Sequence, residues 1–254
     1  MKYLLLAFAL VFSLSAFCQL KPVSYADGKQ KLNGFSHTPS KALKAKPGIL
    51  ILPAWRGVDD HSRNAAAELA ALGYYAFIAD IYGEGNYPKD TKEAGQQSGF
   101  YKTNFKDYQR RIGAALNELV KSGANADNIV VIGYCFGGTG ALEAARGGLP
   151  VKGAVAFHGG LARDPARTAM NIEATVLVCH GADDPMVPEV EIQGFQQEMR
   201  DSKADWQMIY YADAVHGFTE PSAGNDKSDG VAYNEKAAKR SWEHLLLFLK
   251  ETLK

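Results

Sequence analysis

The sequence predicts an α/β fold, with a mostly parallel central sheet and helices on both faces. From residue 46 onward, short apolar runs alternate with segments of helical periodicity, which is typical of strand–helix–strand units. The runs are apolar almost throughout, as expected for strands covered on both faces. With 254 residues, of which 46% are hydrophobic, the chain is long enough for one large core.

The predicted strands are short runs bounded by polar or glycine-containing segments. An earlier segment, Val23–His37, contains an Asp-Gly and an Asn-Gly pair. These pairs are turn signals, so we expect this segment to add strands at one edge of the sheet. The strands predicted for the rest of the sheet are Ile49–Leu52, Ala76–Asp80, Ile129–Gly133, Gly153–His158, Thr175–Cys179 and Trp206–Tyr211.

The predicted helices fill the intervals between these strands. In the last helix, Trp242, Leu245 and Leu249 recur at helical spacing, so one apolar face should pack on the sheet. Two polar stretches, Tyr82–Tyr101 and Pro221–Gly230, are longer than simple connections, and we expect them to be loops near the ligand-binding edge. The predicted helices are Ser62–Leu72, Phe105–Lys121, Gly138–Arg146, Glu189–Arg200 and Tyr233–Leu253.

Residues 1–18 have the layout of a secretory signal peptide. A lysine is followed by the apolar run Tyr3–Leu14 and then by small or neutral residues up to Cys18. The run is shorter than the roughly 20 apolar residues of a membrane-spanning helix. We therefore predict cleavage after Cys18, export to the periplasm or the exterior, and a single domain over residues 19–254. Lipid attachment at Cys18 is the less favoured interpretation, because the bulky Phe17 precedes it.

The charge balance gives no indication of a polyanionic partner. Lysine plus arginine and aspartate plus glutamate each number 28, so the formal net charge is zero. No net field attracts nucleic acid or an anionic membrane surface, and a small neutral substrate is compatible with this balance. After signal removal only Cys135 and Cys179 remain, too few for a disulfide framework.

The strongest local motif is GYCFGG at residues 133–138. It lies between an apolar strand and a helical stretch, which is the context of a nucleophile elbow, with Cys135 in the place of the more common serine. Flanking glycines allow strand and helix to approach closely at such a strained turn. The positive N-terminal end of the following helix favours a thiolate at Cys135. The alternative is a glycine-rich turn that merely packs a buried cysteine.

A nucleophile of this type needs a base and an acid that orients the base, and in this fold the acid precedes the histidine. The strand ending at Cys179 is followed by HGADDPMVP, which contains Asp183 and Asp184. The strand ending at Tyr211 is followed by VHGF, which contains His216. The conjunction of nucleophile, acid and histidine in this order predicts a hydrolytic triad.

The chain resembles the dienelactone hydrolases, or carboxymethylenebutenolidases, of the α/β-hydrolase superfamily. The likeness runs from about residue 48 to the C-terminus and is carried by GYCFGG, HGADDPMVP, VHGF and ALGYYAFIADIYG. It implies an α/β-hydrolase fold, hydrolysis of an ester or lactone, and no metal or organic cofactor. It also implies that Asp184, two residues before a Val-Pro step, is the acid rather than Asp183. By the same resemblance, the backbone N–H groups of Trp55 and Phe136 form the oxyanion hole.

The chain departs from the family pattern around the predicted site. Ala54 stands where the family carries a glutamate that helps activate the resting thiol, so His216 is expected to deprotonate Cys135 unaided. Glu84 and Glu220 lie in the loops that carry the family's substrate-binding arginines, and we expect this acidic pair to repel a carboxylate. Dienelactone itself is therefore not the expected substrate. Three cations in nearby loops are candidates for a replacement clamp: Arg56, Lys89 and Lys102.

Aromatic residues next to the motifs are candidates for the acyl pocket. We expect Tyr82 and Phe218, together with Trp55 and Phe136, to line it, and ordinary core packing is the equal alternative for each. His158 ends a predicted strand and should make a structural hydrogen bond at the edge of the site, with a catalytic role as the less favoured alternative.

Two further groups have simple structural interpretations. Cys179 lies inside an apolar strand and is expected to act as a small buried hydrophobe. Asp59 and Asp60 next to His61 are better explained as a helix N-terminal cap than as metal ligands.

The sequence thus predicts cofactor-independent hydrolysis of a small ester or lactone by two-step acyl transfer through Cys135, His216 and Asp184. Two alternatives from other classes stay open. One is a non-catalytic binding protein on a hydrolase scaffold. The other is a thiol redox protein that uses Cys135 and Cys179. A peptidase is a lesser alternative.

Overall fold

The computed structural model describes residues 20–164, 166–168 and 170–253. The predicted signal peptide, residues 1–18, lies outside them. Within the described residues eight strands form one sheet. They are β1 (Lys21–Asp27), β2 (Gln30–His37), β3 (Gly48–Leu52), β4 (Tyr75–Ile78), β5 (Ile129–Tyr134), β6 (Gly153–Phe157), β7 (Thr175–Gly181) and β8 (Trp206–Tyr211).

The strand order is β1-β2-β4-β3-β5-β6-β7-β8. Strands β3 to β8 are parallel to their neighbours, and the hairpin β1–β2 adds to the edge with β2 antiparallel to β4. Each strand predicted for the parallel part of the sheet forms, with ends that differ by at most two residues. The predicted edge hairpin forms as well. This topology confirms the α/β-hydrolase fold that the resemblance implied.

Six α-helices lie in the described part of the chain. Alternate residues of β3 belong to different hydrophobic layers, since Leu50 packs in one layer and Ile51 in the other. Buried residues of α1 and α6 belong to one layer, and those of α2 to α5 belong to the other. The helices are α1 (Asp60–Ala71), α2 (Thr91–Thr103), α3 (Phe105–Lys121), α4 (Phe136–Arg146), α5 (Glu189–Asp201) and α6 (Glu235–Thr252).

Helix α2 corrects the prediction of a loop over Tyr82–Tyr101. The side chain of Asp90 caps it by accepting a hydrogen bond from the N–H of Glu93 at 2.8 Å. The helix contains two glycines and is mostly polar, so its sequence shows no apolar stripe. The second polar stretch, Pro221–Gly230, is irregular apart from one short 3₁₀ turn.

Buried Asp80, just after β4, connects the edge hairpin to the segment that leads into α2 through hydrogen bonds. Its carboxylate accepts hydrogen bonds from the N–H of Asn33 at 2.8 Å, the N–H of Gly83 at 2.9 Å and the hydroxyl of Tyr87 at 2.7 Å. Because buried carboxylates require such partners, this arrangement fixes where the chain leaves the sheet. It thereby sets the position of α2 above the carboxyl ends of the strands.

Of the two acidic residues predicted to cap α1, Asp59 forms the N-cap and Asp60 is the first residue of the helix. The carboxylate of Asp59 accepts from the N–H of Ser62 at 2.9 Å, and the Ser62 hydroxyl returns to the backbone of Asp59 in a capping box. Across the described ranges, no group of three or more His, Cys, Asp or Glu residues is arranged to hold a metal ion. No helix in that part of the chain is long and apolar enough to cross a membrane.

Candidate active site

Cys135 occupies a sharp bend between β5 and α4. Its backbone has φ of 52° and ψ of −114°, a left-handed conformation that is strained for a residue with a side chain. A Cβ atom at Gly133 would lie 1.9 Å from the carbonyl oxygen of Gly137, and a Cβ atom at Gly137 would lie 2.0 Å from the carbonyl oxygen of Leu52. Both positions therefore require glycine, as a nucleophile elbow demands.

The structure brings the three predicted side chains into one hydrogen-bonded row. Nε2 of His216 is 3.0 Å from Sγ of Cys135, and Nδ1 of His216 is 3.0 Å from Oδ2 of Asp184. The other oxygen of Asp184 accepts from the N–H of Met186 at 2.9 Å. The side chain of Asp184 is fully buried, whereas Asp183 is exposed to solvent. The geometry thus selects Asp184 as the histidine's partner.

The electrostatics of His216 suit a residue that gains and loses a proton. Burial disfavours its charged form, but the hydrogen bonds to Asp184 and Cys135, with the charges of both groups, outweigh burial and raise the pKa of His216 to about 10. The N-terminal end of α4 begins at the next residue after Cys135 and favours negative charge on the sulfur. The imidazole nitrogen and the N-terminal end of α4 thus both lie next to the sulfur of Cys135.

A cavity of about 330 Å³ opens onto Cys135 and His216. As the first residue of α4, Phe136 has a backbone N–H without an acceptor in its own helix. Trp55 lies in the loop after β3, on the cavity wall. Both predicted oxyanion-hole residues therefore line the same cavity as Cys135. The other lining residues are Ser98, Lys102, Gly160, Met186, Val187 and Val231.

Tyr82 does not line this cavity, contrary to the prediction. It is buried, and its hydroxyl donates to the carbonyl oxygen of Trp55 at 2.6 Å. Its ring stacks on that of Phe136, with centroids 5.8 Å apart and planes at 14°. Tyr108 stacks on the other side of Phe136 at 4.6 Å and donates to its carbonyl oxygen at 3.0 Å. The stacked rings and these two hydrogen bonds hold Trp55 and Phe136 in position relative to each other. No sequence motif identifies Tyr108 as a residue that supports the site.

Phe218 is also absent from the cavity and belongs to the core. It is fully buried, and its ring lies 5.2 Å from that of His158 and 5.3 Å from that of Tyr211. The chain turns at Gly217, whose φ is 69°. The next side chain therefore enters the layer that packs α1 and α6.

The expected repulsion of a carboxylate by Glu84 and Glu220 is wrong. Glu84 is exposed and pairs with Lys31 at 2.7 Å, and Glu220 lies 3.7 Å from His61; neither lines the cavity. Of the three candidate cations, the structure places one, Lys102, on the cavity wall. The guanidinium of Arg56 instead donates to the hydroxyl of Thr91. Lys89 is exposed and does not line the cavity.

The structure does not join the two cysteines. Both thiols are free, and Cys179 is buried in the layer that packs α1 and α6, whereas Cys135 packs against the opposite layer. Burial raises the pKa of the Cys179 thiol to about 12. Cys179 is therefore the small buried hydrophobe that the sequence predicts, and the geometry gives no support to a disulfide between them.

The model of the dienelactone hydrolase family matches residues 32–253. The chain belongs to the dienelactone hydrolase family. Membership assigns it to the hydrolases of lactone and ester bonds, and the strand, bend and helix around Cys135 have the geometry of a nucleophile elbow.

Known proteins similar to this family member cover most of its length. The crystal structure of a dienelactone hydrolase-like promiscuous phosphotriesterase from metagenomic libraries has 35% sequence identity and a TM-score of 0.85, covering 93% of this chain and 99% of that one. A "Putative carboxymethylenebutenolidase" of Salmonella typhimurium is 26% identical over 220 residues, 82% of this chain and 78% of the relative. A "Probable 2-oxo-3-(5-oxofuran-2-ylidene)propanoate lactonase" of Bradyrhizobium is 25% identical over 214 residues, 80% and 83% of the two chains.

Proposed function

We propose that the protein hydrolyses an ester or lactone by covalent catalysis, with Cys135 as nucleophile, His216 as general base and Asp184 as the acid that orients it. The observation that carries the proposal is the row of two contacts, 3.0 Å each, from carboxylate to imidazole to sulfur. The sulfur lies on a strained bend at a cavity, where an ester carbonyl can reach it. Family membership supports the broader activity.

In the first half-reaction, sulfur attacks the carbonyl carbon while the proton of the thiol resides on Nε2 of His216. Asp184 holds the Nδ1 proton and stabilises the imidazolium. The N–H groups of Trp55 and Phe136 donate to the developing oxyanion, and each donor is worth about 3 kcal/mol in comparable sites. The carbon–oxygen bond then breaks, the imidazolium gives its proton to the leaving alkoxide, and the acyl group stays on Cys135 as a thioester.

In the second half-reaction, His216 removes a proton from a water molecule that attacks the thioester carbonyl. The same backbone donors hold the second oxyanion, and its collapse expels the thiolate and releases the acid. Because Ala54 supplies no carboxylate at the family's glutamate position, His216 handles every proton in this sequence of steps. The hydrogen bonds to Asp184 and Cys135 raise the pKa of His216 to about 10 in the free protein, which suits it to hold the thiol proton before the leaving alkoxide takes it up.

The cavity supports a compact substrate with an apolar portion. Trp55, Phe136, Met186, Val187 and Val231 give most of its wall an apolar surface. Lys102 is exposed at this wall, so a polar or anionic group of the substrate would meet a cation rather than the acidic pair expected from the sequence. Small lactones and short-chain esters fit its volume of about 330 Å³.

Phosphotriesters are a second class of substrate to assay, because a solved relative with 35% sequence identity is described as a promiscuous phosphotriesterase. The same sulfur and the same backbone donors would serve attack at phosphorus, with the phosphoryl oxygen in place of the carbonyl oxygen. Comparison of an aryl ester with an aryl phosphotriester of the same leaving group would rank the two activities.

The proposal is tested by trapping the acyl-enzyme. The protein is mixed with a 4-nitrophenyl ester, quenched in acid, and analysed by intact mass and peptide mapping. We expect one acyl group, located on Cys135, and a burst of nitrophenolate equal to the enzyme concentration if deacylation is slow. A chain that hydrolyses no small ester and takes up no acyl group, while Cys135 still reacts with an alkylating agent, would be a binding protein on a hydrolase scaffold instead.

We also propose that the mature protein is exported after removal of residues 1–18, on the strength of their signal-peptide layout. N-terminal sequencing of the protein recovered from cell fractions tests this. A mature chain that begins after Cys18 in an exported fraction supports it. An intact N-terminus in the cytosolic fraction contradicts it, and a lipid-modified Cys18 would favour membrane attachment.

A further inference from the structure

His158 is a buried ionisable residue that the proposed mechanism does not use. It directly follows β6 and adopts φ of 38°. Cys135, which directly follows the neighbouring strand β5, has φ of 52°. Two adjacent parallel strands thus end in left-handed residues other than glycine. Such strain persists where the surrounding structure enforces it, and it concentrates at functional sites.

The ring of His158 packs against the ring of His216. Their centroids are 5.3 Å apart and their planes meet at 67°, an edge-to-face arrangement. Both nitrogens of His216 are engaged, one with Asp184 and one with Cys135. Those two contacts act in the plane of the ring and restrain its displacement across that plane less strongly. The ring of His158 packs against it edge-to-face and limits this displacement.

Thr219 holds His158 in place. Its hydroxyl oxygen lies 2.7 Å from Nε2 of His158, in a buried contact. The same oxygen is 3.4 Å from Nε2 of His61. Since Thr219 follows His216 by three residues, the loop that carries His216 also binds the imidazole of His158, which packs against His216. The three residues are therefore linked to one another in a closed set of contacts.

The charge state of His158 suits this position. Burial lowers its pKa well below the usual value, and the neighbouring His216, His61 and His180 lower it further. His158 therefore stays neutral when His216 takes up a proton. A neutral aromatic ring tolerates or attracts an adjacent imidazolium, whereas a second cation would repel it.

We propose that His158 is a positioning residue for His216: anchored by Thr219, its ring keeps the imidazole of His216 directed at the sulfur of Cys135. The effect on turnover rests on the proposed function. The effect on the contact between imidazole and sulfur is independent of the proposed function. The pairing of these two groups governs thiol reactivity whether or not an ester is hydrolysed.

The test uses Thr219→Val, which removes the hydroxyl at nearly constant volume, and Thr219→Ser, which keeps it. His158→Asn removes the ring while retaining a residue type that tolerates positive φ. The matched control is Tyr211→Phe, which removes another buried hydroxyl, bonded to Nδ1 of His244 at 2.8 Å, on a residue that does not line the cavity. For each protein the rate of Cys135 alkylation by iodoacetamide is followed across a pH series, with Cys135→Ser as background, and ester hydrolysis is measured in parallel.

In Thr219→Val we expect the midpoint of Cys135 alkylation to rise by about half a pH unit or more, since weaker pairing with the imidazolium disfavours the thiolate. The value of kcat should fall by about three- to tenfold with little change in KM. His158→Asn should show the larger shift, and Thr219→Ser and Tyr211→Phe should keep the wild-type midpoint.

The two readouts separate the two proposals. Alkylation midpoints that equal the wild-type value in both Thr219→Val and His158→Asn, in folded proteins, overturn the positioning role even if ester hydrolysis is normal. Shifted midpoints in a protein that hydrolyses no ester support the positioning role and overturn the proposed function. A shift of equal size in Tyr211→Phe would mean a general loosening of the fold and would also overturn the positioning role.

Discussion

The end of β5 and the interior of β7 each hold a cysteine, two strands apart in the same sheet. Cys135 is half-buried, on a left-handed bend, with an imidazole nitrogen 3.0 Å from its sulfur. Cys179 is fully buried in a regular strand, and its sulfur has the hydroxyl of Tyr211 at 3.6 Å. The residue type is the same, so the backbone and the neighbouring groups make the difference.

The comparison shows that the surroundings of a thiol depend on where its residue lies along the strand. Inside a strand, a side chain meets only the layer of helices above it, and burial keeps the thiol protonated by raising its pKa to about 12. At the carboxyl end, the side chain meets the loops of other strands, which bring His216 and Asp184. The following predictions test this contrast, beginning with the largest expected effect.

Replacing Cys135 with alanine should lower kcat/KM for an activated ester by about a thousandfold or more, because the hydroxyl of Ser98, also on the cavity wall, donates to the carbonyl oxygen of Ala94 at 2.8 Å instead of to His216. Cys179→Ala is the matched control and should retain the wild-type rate. Steady-state kinetics, together with circular dichroism to check folding, decide the matter. Equal losses in the two variants would remove the distinction between the two regions.

Replacing Asp184 with asparagine should lower kcat by about a hundred- to ten-thousandfold, since the imidazole loses the charge that holds its tautomer and stabilises its protonated form. Asp183→Asn alters the exposed neighbour and should have almost no effect. The measurement is kcat for both variants at one pH. If Asp183→Asn were the damaging change, the assignment of the acid would be reversed.

Alkylation should distinguish the two thiols by pH. At pH 7 we expect iodoacetamide to modify Cys135 and to leave Cys179 unmodified, because the pKa of Cys179 is raised to about 12 and its side chain is buried. In His216→Gln the thiolate loses its cationic partner, so the rate at Cys135 should fall about tenfold and its midpoint should move to higher pH. Peptide mapping reports each site separately, and modification of Cys179 at a comparable rate would contradict the contrast.

Tyr82→Phe should produce the smallest effect. Loss of the hydroxyl that bonds the carbonyl of Trp55 at 2.6 Å removes about 1 kcal/mol, so we expect kcat to fall about fivefold with KM nearly unchanged. Tyr211→Phe removes a buried hydroxyl bonded to Nδ1 of His244 at 2.8 Å, on a residue that does not line the cavity, and serves as the control. Parallel losses in kcat for both variants would show that general loosening, rather than the oxyanion loop, is responsible.

Much of the fold and the row of three side chains was predictable from the sequence, because both depend on local patterns. The apolar runs identify the strands, and the order of Cys135, Asp184 and His216 along the chain places their side chains at one edge of a parallel sheet. Helix α2 was missed because its polar residues show no periodic stripe.

The errors concern side-chain direction after irregular turns. Phe218 follows a glycine with positive φ, and the pattern of residues does not reveal that its ring turns into the core. Tyr82 and Glu220 are likewise close to the site in sequence but directed away from the cavity. Which way such side chains point depends on packing between distant segments, which a single local motif does not encode.

The close approach at Gly133 and Gly137 has a consequence for how this site can change. Any side chain at either position would collide with a main-chain oxygen within about 2 Å, whereas the side chain at position 135 borders the cavity. A single nucleotide exchange that converts cysteine to serine would alter the chemistry and leave the main chain untouched. A substitution at position 135 can therefore change the chemistry of the site, whereas a substitution at Gly133 or Gly137 would change the bend itself.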